Sequence, residues 1–155
     1  MRLLVVLGVL LLSGCGLSSE HTLRQNFAAH ESEIQQILRM QQHDSNVVRV
    51  APSFTRLKDN WAWPRKDIGF SEQRWNEYRK LFKDAGITDG TQVDEGTTFL
   101  FVSSAGLGIA GSSRGYAHVL SEPSVVVSAL SKCPRKNGVC FVPLRGDWYL
   151  FQWVT

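Results

Sequence analysis

The chain has 155 residues, 43% hydrophobic and 20% charged, with 17 Lys and Arg against 14 Asp and Glu for a formal net charge of +3. That length fits one compact domain, and the composition excludes a disordered, collagen-like or multispan membrane chain. So small a positive surplus does not mark a nucleic-acid binder.

Arg2 precedes Leu3 to Leu12, a run that is apolar apart from Gly8. A membrane-spanning helix needs roughly 20 such residues, so the run fits the apolar region of a secretory signal peptide instead. Leu12-Ser13-Gly14-Cys15 resembles the lipobox of bacterial lipoproteins. The resemblance implies cleavage before Cys15, a diacylglycerol on its sulfur and acylation of the new amine. Residues 1–14 are then a signal peptide, 15–19 a lipidated tether and 20–155 a single α+β domain. Three acyl chains, at roughly 0.8 kcal/mol per buried CH₂, make such an anchor effectively permanent. Gly16 stands where inner-membrane lipoproteins of Gram-negative bacteria usually carry Asp. The resemblance therefore implies the outer membrane, with the domain facing the periplasm.

Ser19 to about Gln42 is predicted as one helix, with Leu23, Phe27, Ile34, Ile37 and Leu38 near one face. Ser45 to Val50 favours a strand, interrupted by Pro52. A second helix starts at Ser71, a good N-cap, with Phe70 before it and Trp75 placed for a hydrophobic staple. Its apolar stripe is Trp75, Tyr78, Leu81, Phe82 and Ala85, and Gly86 sits where a left-handed cap belongs. Thr98 to Val102 and Tyr116 to Leu120 are predicted strands joined by a glycine-rich connection. Pro123 and Ser124 open a short predicted helix through Val126, Ala129 and Leu130. Val139 to Leu144 and Trp148 to Val154 form a closing hairpin with Arg145-Gly146-Asp147 at its tip. The apolar run Trp148 to Trp153, broken only by Gln152, suggests a strand covered on both faces. Helices first and antiparallel strands later point to an α+β fold, two main helices packed on a mostly antiparallel sheet.

Three cysteines leave Cys133 and Cys140 as a pair once Cys15 is lipidated. The two bracket Pro134 to Val139, which includes the turn dipeptide Asn137-Gly138. An oxidising periplasm favours their disulfide over a reactive Cys133 thiolate.

Two motifs invite catalytic readings. Gly106-Leu107-Gly108-Ile109-Ala110-Gly111 matches G-x-G-x-x-G, but no helix or suitably spaced acid follows, so a glycine-rich turn is the better reading. Gly111-Ser112-Ser113-Arg114-Gly115 matches G-x-S-x-G, with only His118 behind it as a base for a Ser113 hydrolase. His21, His30 and His43 are not spaced as a metal face. Trp61, Trp63 and Arg65, with Arg74 and Arg79 on the second helix, are the binding candidates. Flat rings flanked by cations stack on sugars or anchor a protein partner. Trp61-Ala62-Trp63, if extended, puts both rings on one side, and Pro64 favours that conformation at Trp63.

Ala51-Pro52-Ser53-Phe54-Thr55, Trp63-Pro64-Arg65, the run Gly69 to Phe82, Gly115-Tyr116 and Trp148-Tyr149-Leu150 together resemble a family of small lipoproteins of Gram-negative bacteria. The resemblance implies an envelope location and supplies no catalytic residue. The expectation is a non-enzymatic interaction module without metal or cofactor. Its partner would be an envelope protein or a secreted toxin, with glycan or peptidoglycan binding as the alternative.

Overall fold

The computed structural model describes residues 16–58, 61–62, 70–107 and 110–155, with backbone alone at 61, 62 and 107. Cys15 and residues 1–14, together with Trp63, Arg65, Gly108 and Ile109, lie outside the described residues.

The fold is α+β, with three helices among the described residues: α1 (Glu20–Ala29), α2 (Glu31–His43) and α3 (Glu72–Ala85). The strands are β1 (Val47–Val50), β2 (Thr55–Leu57), β3 (Trp61–Ala62), β4 (Gly90–Asp94), β5 (Thr97–Leu107), β6 (Ala110–His118), β7 (Gly138–Arg145) and β8 (Trp148–Val154). They form one sheet in the order β3-β2-β1-β4-β5-β6-β8-β7. Every neighbouring pair is antiparallel.

The single first helix expected from periodicity is two helices. His30 leaves helical geometry at φ −126° and ψ 26°, and α2 begins after it. No proline or glycine marks the break, so the apolar period reads straight through it. All five expected core residues, Leu23, Phe27, Ile34, Ile37 and Leu38, are buried. The α3 helix matches its sequence signals closely. The Ser71 hydroxyl accepts from the Arg74 N–H, the five stripe residues are buried, and Gly86 takes the left-handed conformation at φ 68°.

Residues 123–130 are not a helix. Val125 and Val127 exchange backbone hydrogen bonds with Phe141 on the outer edge of β7, and a 3-10 turn covers only Leu130–Lys132. Capping a sheet edge satisfies two backbone groups of β7 that a helix would leave bare. The closing hairpin is present, with Arg145 paired to Trp148 and only Gly146-Asp147 between them. The glycine-rich connection is mostly strand, because β5 and β6 stay paired as far as Leu107 and Ala110.

Alternation along the strands sorts side chains onto two faces. Leu100, Tyr116, Val142, Trp148 and Leu150 join the helices in the main core. Phe27 of α1 meets Tyr116 at 5.2 Å and Trp148 at 5.4 Å. The opposite face carries a second cluster built only from the sheet and the residue after β6: Phe99, Phe101, Ala117, Val119, Phe141 and Phe151, with Val139, Tyr149 and Trp153 packed against it. The β8 strand is thus apolar on both sides as its sequence suggests, but helices cover one side only.

Cys133 and Cys140 are joined by a disulfide that closes the turn before β7. A loop this short restricts the unfolded chain by about 2.5 kcal/mol in the chain-entropy account. Denaturant titration with and without reductant should show a loss of that order, and an unchanged midpoint would contradict it.

Two buried phenols make the fold sensitive to alkali. Burial pushes the Tyr116 phenol up to about 12, partly offset by the Asn26 side chain. Its hydroxyl donates to the Leu23 carbonyl at 2.9 Å and accepts from the Asn26 amide at 2.9 Å. Burial also raises Tyr78, and the adjacent Asp44 carboxylate adds to the effect against an opposing Arg74. Both folded values lie above the unfolded phenol at about 10. Their contribution is therefore full below about pH 10 and is lost as pH rises through the folded values. Denaturant midpoints should fall between pH 9 and about pH 12, less steeply in Tyr116→Phe; an equal slope in the variant would contradict this assignment.

Candidate functional site

The sequence places an arginine inside a run of valines, Val47-Val48-Arg49-Val50. Val47 and Val50 both face the helices because the ladder shifts register between Val47 and Arg49. Arg49 is left on the other face, half-buried. Its guanidinium donates to Gln92 Oε1 at 2.7 Å and to the Asp89 carbonyl at 3.3 Å. The Phe101 ring centre lies 4.9 Å from its Cζ and that of Phe54 5.6 Å. Burial lowers the Arg49 pKa, the Asp89 charge opposes that shift, and Arg56 reinforces it. An arginine stays charged through such shifts.

Around Arg49 the open face of the sheet holds a groove of about 610 Å³. One wall is the β1–β2 turn at Ala51–Phe54, and the other is the stem of the β5–β6 hairpin. Phe101 and Trp153 supply aromatic surface, and Ser104, Ser112, Ser113 and Thr88 supply hydroxyls. Ser104 donates to Asp89 Oδ2 at 2.7 Å and lies 3.0 Å from the Ser113 hydroxyl. Thr88 holds the same carboxylate oxygen at 3.2 Å and donates to the Val102 carbonyl at 2.9 Å. The groove thus pairs a fixed cation with a carboxylate already engaged by hydroxyls. Such an arrangement offers complementary contacts to a ligand that carries both a donor and an anionic group.

Ser113 lies in β6 between partners on β5 and β8, so the G-x-S-x-G stretch is not a strand-turn-helix elbow. His118 stacks on Trp148 of the helix-side core at 5.2 Å, whereas Ser113 lines the groove on the opposite face. The two side chains do not form a nucleophile–base pair. The described residues of the G-x-G-x-x-G stretch, Gly106, Leu107, Ala110 and Gly111, lie in β5 and β6, so strand rather than helix holds the third glycine. Among the described residues no group of three His, Cys, Asp or Glu side chains is placed to hold a metal. His21 lies in α1, His30 between the helices and His43 at the end of α2.

The binding candidates on α3 are engaged internally. Arg74 pairs with Asp44 at 2.8 Å and Glu77 at 2.9 Å, beside Tyr78. Arg79 lies 3.5 Å from the Trp75 ring centre and donates to the Pro52 carbonyl at 2.7 Å. Trp61 is in β3, opposite Arg56, but its side chain is not among those described. The residues that the sequence reading missed are Arg49, Asp89, Gln92, Ser104 and Trp153. The available signal was the lone cation in the valine run.

Ser18 is bound to strands β5 and β6, whose other face carries this site. The Ser18 N–H donates to Ser103 Oγ at 2.9 Å, and its carbonyl accepts from Arg114 at 3.0 Å. Arg114 is itself held by Gln152 at 2.7 Å. Ser19 then caps α1 by accepting from the Thr22 N–H. Ser18 and Ser19 are therefore hydrogen-bonded to the folded elements. Glu20, next in the chain, is pushed up by burial, but the Leu130 N–H and Arg24 outweigh that and hold its carboxyl below the usual range.

No family model, curated protein or solved structure matches the chain. Among the described residues no helix is long and apolar enough to cross a membrane.

Proposed function

We propose that this chain is a lipoprotein held on the periplasmic face of the Gram-negative outer membrane, where it acts as a non-enzymatic interaction module. The groove around Arg49 is its binding surface, and that groove is the observation that carries the reading. A half-buried guanidinium beside the partly exposed rings of Phe54 and Trp153 suits recognition, while Ser113 and His118 on opposite faces form no nucleophile–base pair. The partner is an envelope protein or a toxin delivered to the periplasm.

Cys15 supplies the anchor. Gly16 and Leu17 separate it from Ser18, a reach of about 10 Å, so the β5–β6–β8 end of the sheet sits near the lipid surface. The groove opens on the far face of those same strands. Mass spectrometry of the protein from native envelopes should find an acylated N-terminal Cys15. An unacylated terminus, or recovery in the cytosolic fraction, would remove both the anchor and the compartment.

A second reading is glycan or peptidoglycan binding, favoured by Trp153 and the serine hydroxyls in one groove. Co-sedimentation with purified sacculi separates the two. Binding that is lost in Trp153→Ala supports the glycan. No binding, or equal binding by the variant, leaves the protein partner.

A further inference from the structure

The pairing of β5 is one-sided over half its length. The last residue of β5 paired to β4 is Phe101, opposite Gly90, and the chain before Gly90 turns away. Thr88 and Asp89 both donate to the Phe101 carbonyl and end the ladder there. Beyond that point β5 continues to Leu107 with β6 on one flank. The direction of its backbone groups follows from the neighbour. Gly111 exchanges hydrogen bonds with Thr155 at 3.3 and 3.0 Å, on the side away from β5. Its partner on β5 is Gly106, which therefore turns its own N–H and C=O away from β6. Alternation does the same for Ser104. Among the described residues no strand pairs with this edge, and Ser103-Ser104-Ala105-Gly106 carries none of the charges or prolines that usually blunt one.

The same edge borders the groove, with Ser104, Ala105 and Gly106 on its wall and Arg49 across it. Arg49 has only neutral acceptors and aromatic rings as partners, and no described carboxylate lies within ion-pair distance of it. A cation already partly desolvated, with Asp89 beyond ion-pair distance and engaged by Ser104 and Thr88, favours an incoming carboxylate. A dianionic phosphate is a poorer fit, because Asp89 lines the same space.

We infer that the partner docks as an extended peptide segment that adds a strand to the open edge of β5 and places an acidic side chain on Arg49. Backbone groups of Ser104 and Gly106 supply the ladder bonds, and the cation supplies the choice of sequence. The inference rests on the reading of this groove as the binding surface.

The test uses the full chain in detergent micelles and fluorescein-labelled octapeptides of alternating threonine and valine. One carries a central glutamate, one a glutamine and one a lysine. Fluorescence anisotropy should rank glutamate above glutamine and lysine by about tenfold, a preference that Arg49→Gln erases. Ser104→Pro removes the outward N–H and should abolish binding of all three, whereas Ser104→Ala, which keeps the edge, should bind within about threefold of the parent. Circular dichroism of each variant checks that the fold is retained. No binding by any peptide, no preference for glutamate, or undiminished binding by Ser104→Pro overturns the inference. So does self-association of the chain that Ser104→Pro abolishes, since the edge is then taken by a second copy. Each of these leaves the module reading intact if cells still yield a partner cross-linked at the groove.

Discussion

Gly115→Ala is expected to destabilise the protein by about 3 kcal/mol or more, far beyond the usual cost of an alanine in a strand. Gly115 sits in β6 between Phe101 of β5 and Phe151 of β8, its register partners on either side. Those two rings meet edge to face at 5.3 Å. A Cβ on Gly115 lies 1.9 Å from the Leu100 carbonyl oxygen, a backbone atom with no rotamer to change. The β5 register slips between Phe101 and Ser103, immediately beside this contact. The close approach therefore lies beside the register shift and next to Phe101 on the groove floor. Denaturant unfolding measures the loss. A change under about 1 kcal/mol would mean that the strands separate easily there and that the floor is not rigid.

Phe151→Ala is the second large effect, expected at about 3–5 kcal/mol. Phe151 is fully buried although, among the described residues, no helix packs against its cluster. Its ring packs against Phe99 at 5.0 Å and against Phe101, so the open face is shielded by its own aromatic residues. Leu150, one residue earlier, points to the helices and is equally buried. Leu150→Ala should cost about 2–5 kcal/mol by the same cavity argument. Comparable losses from two adjacent residues on opposite faces would establish two working cores. A loss in Phe151→Ala below about 1 kcal/mol would show the second cluster to be a mere surface patch, and Phe101 and Trp153 would line the groove without a core behind them.

How much of this was legible depended on whether the deciding force was local. Ser71, the stripe from Trp75 to Ala85 and Gly86 are local signals, and α3 formed where they said. The break at His30 carries no such signal. The stretch Ser103–Gly106 has weak strand propensity, yet it is strand because β6 holds it and β8 holds β6. Residues 123–127 have a helix-like opening, but the exposed edge of β7 captured them. Arg74 and Arg79 read as a basic face, and their partners Asp44 and the Pro52 carbonyl lie far away in the chain. Arg49 was hidden by the slip in register between β1 and β2, which periodicity does not encode. The cysteine pair was readable because seven residues and a turn dipeptide bring the sulfurs together by themselves.

The most direct measurement is site-specific photo-cross-linking in intact cells, with the photoreactive residue at Ser112 in the groove or at Lys83 on the exposed face of α3. The groove position should give a discrete adduct in the outer-membrane fraction, lost on adding Arg49→Gln, while the helix position gives none. Adducts of the same size from both positions, or none from Ser112, would contradict the assignment of the groove as the surface through which this protein works.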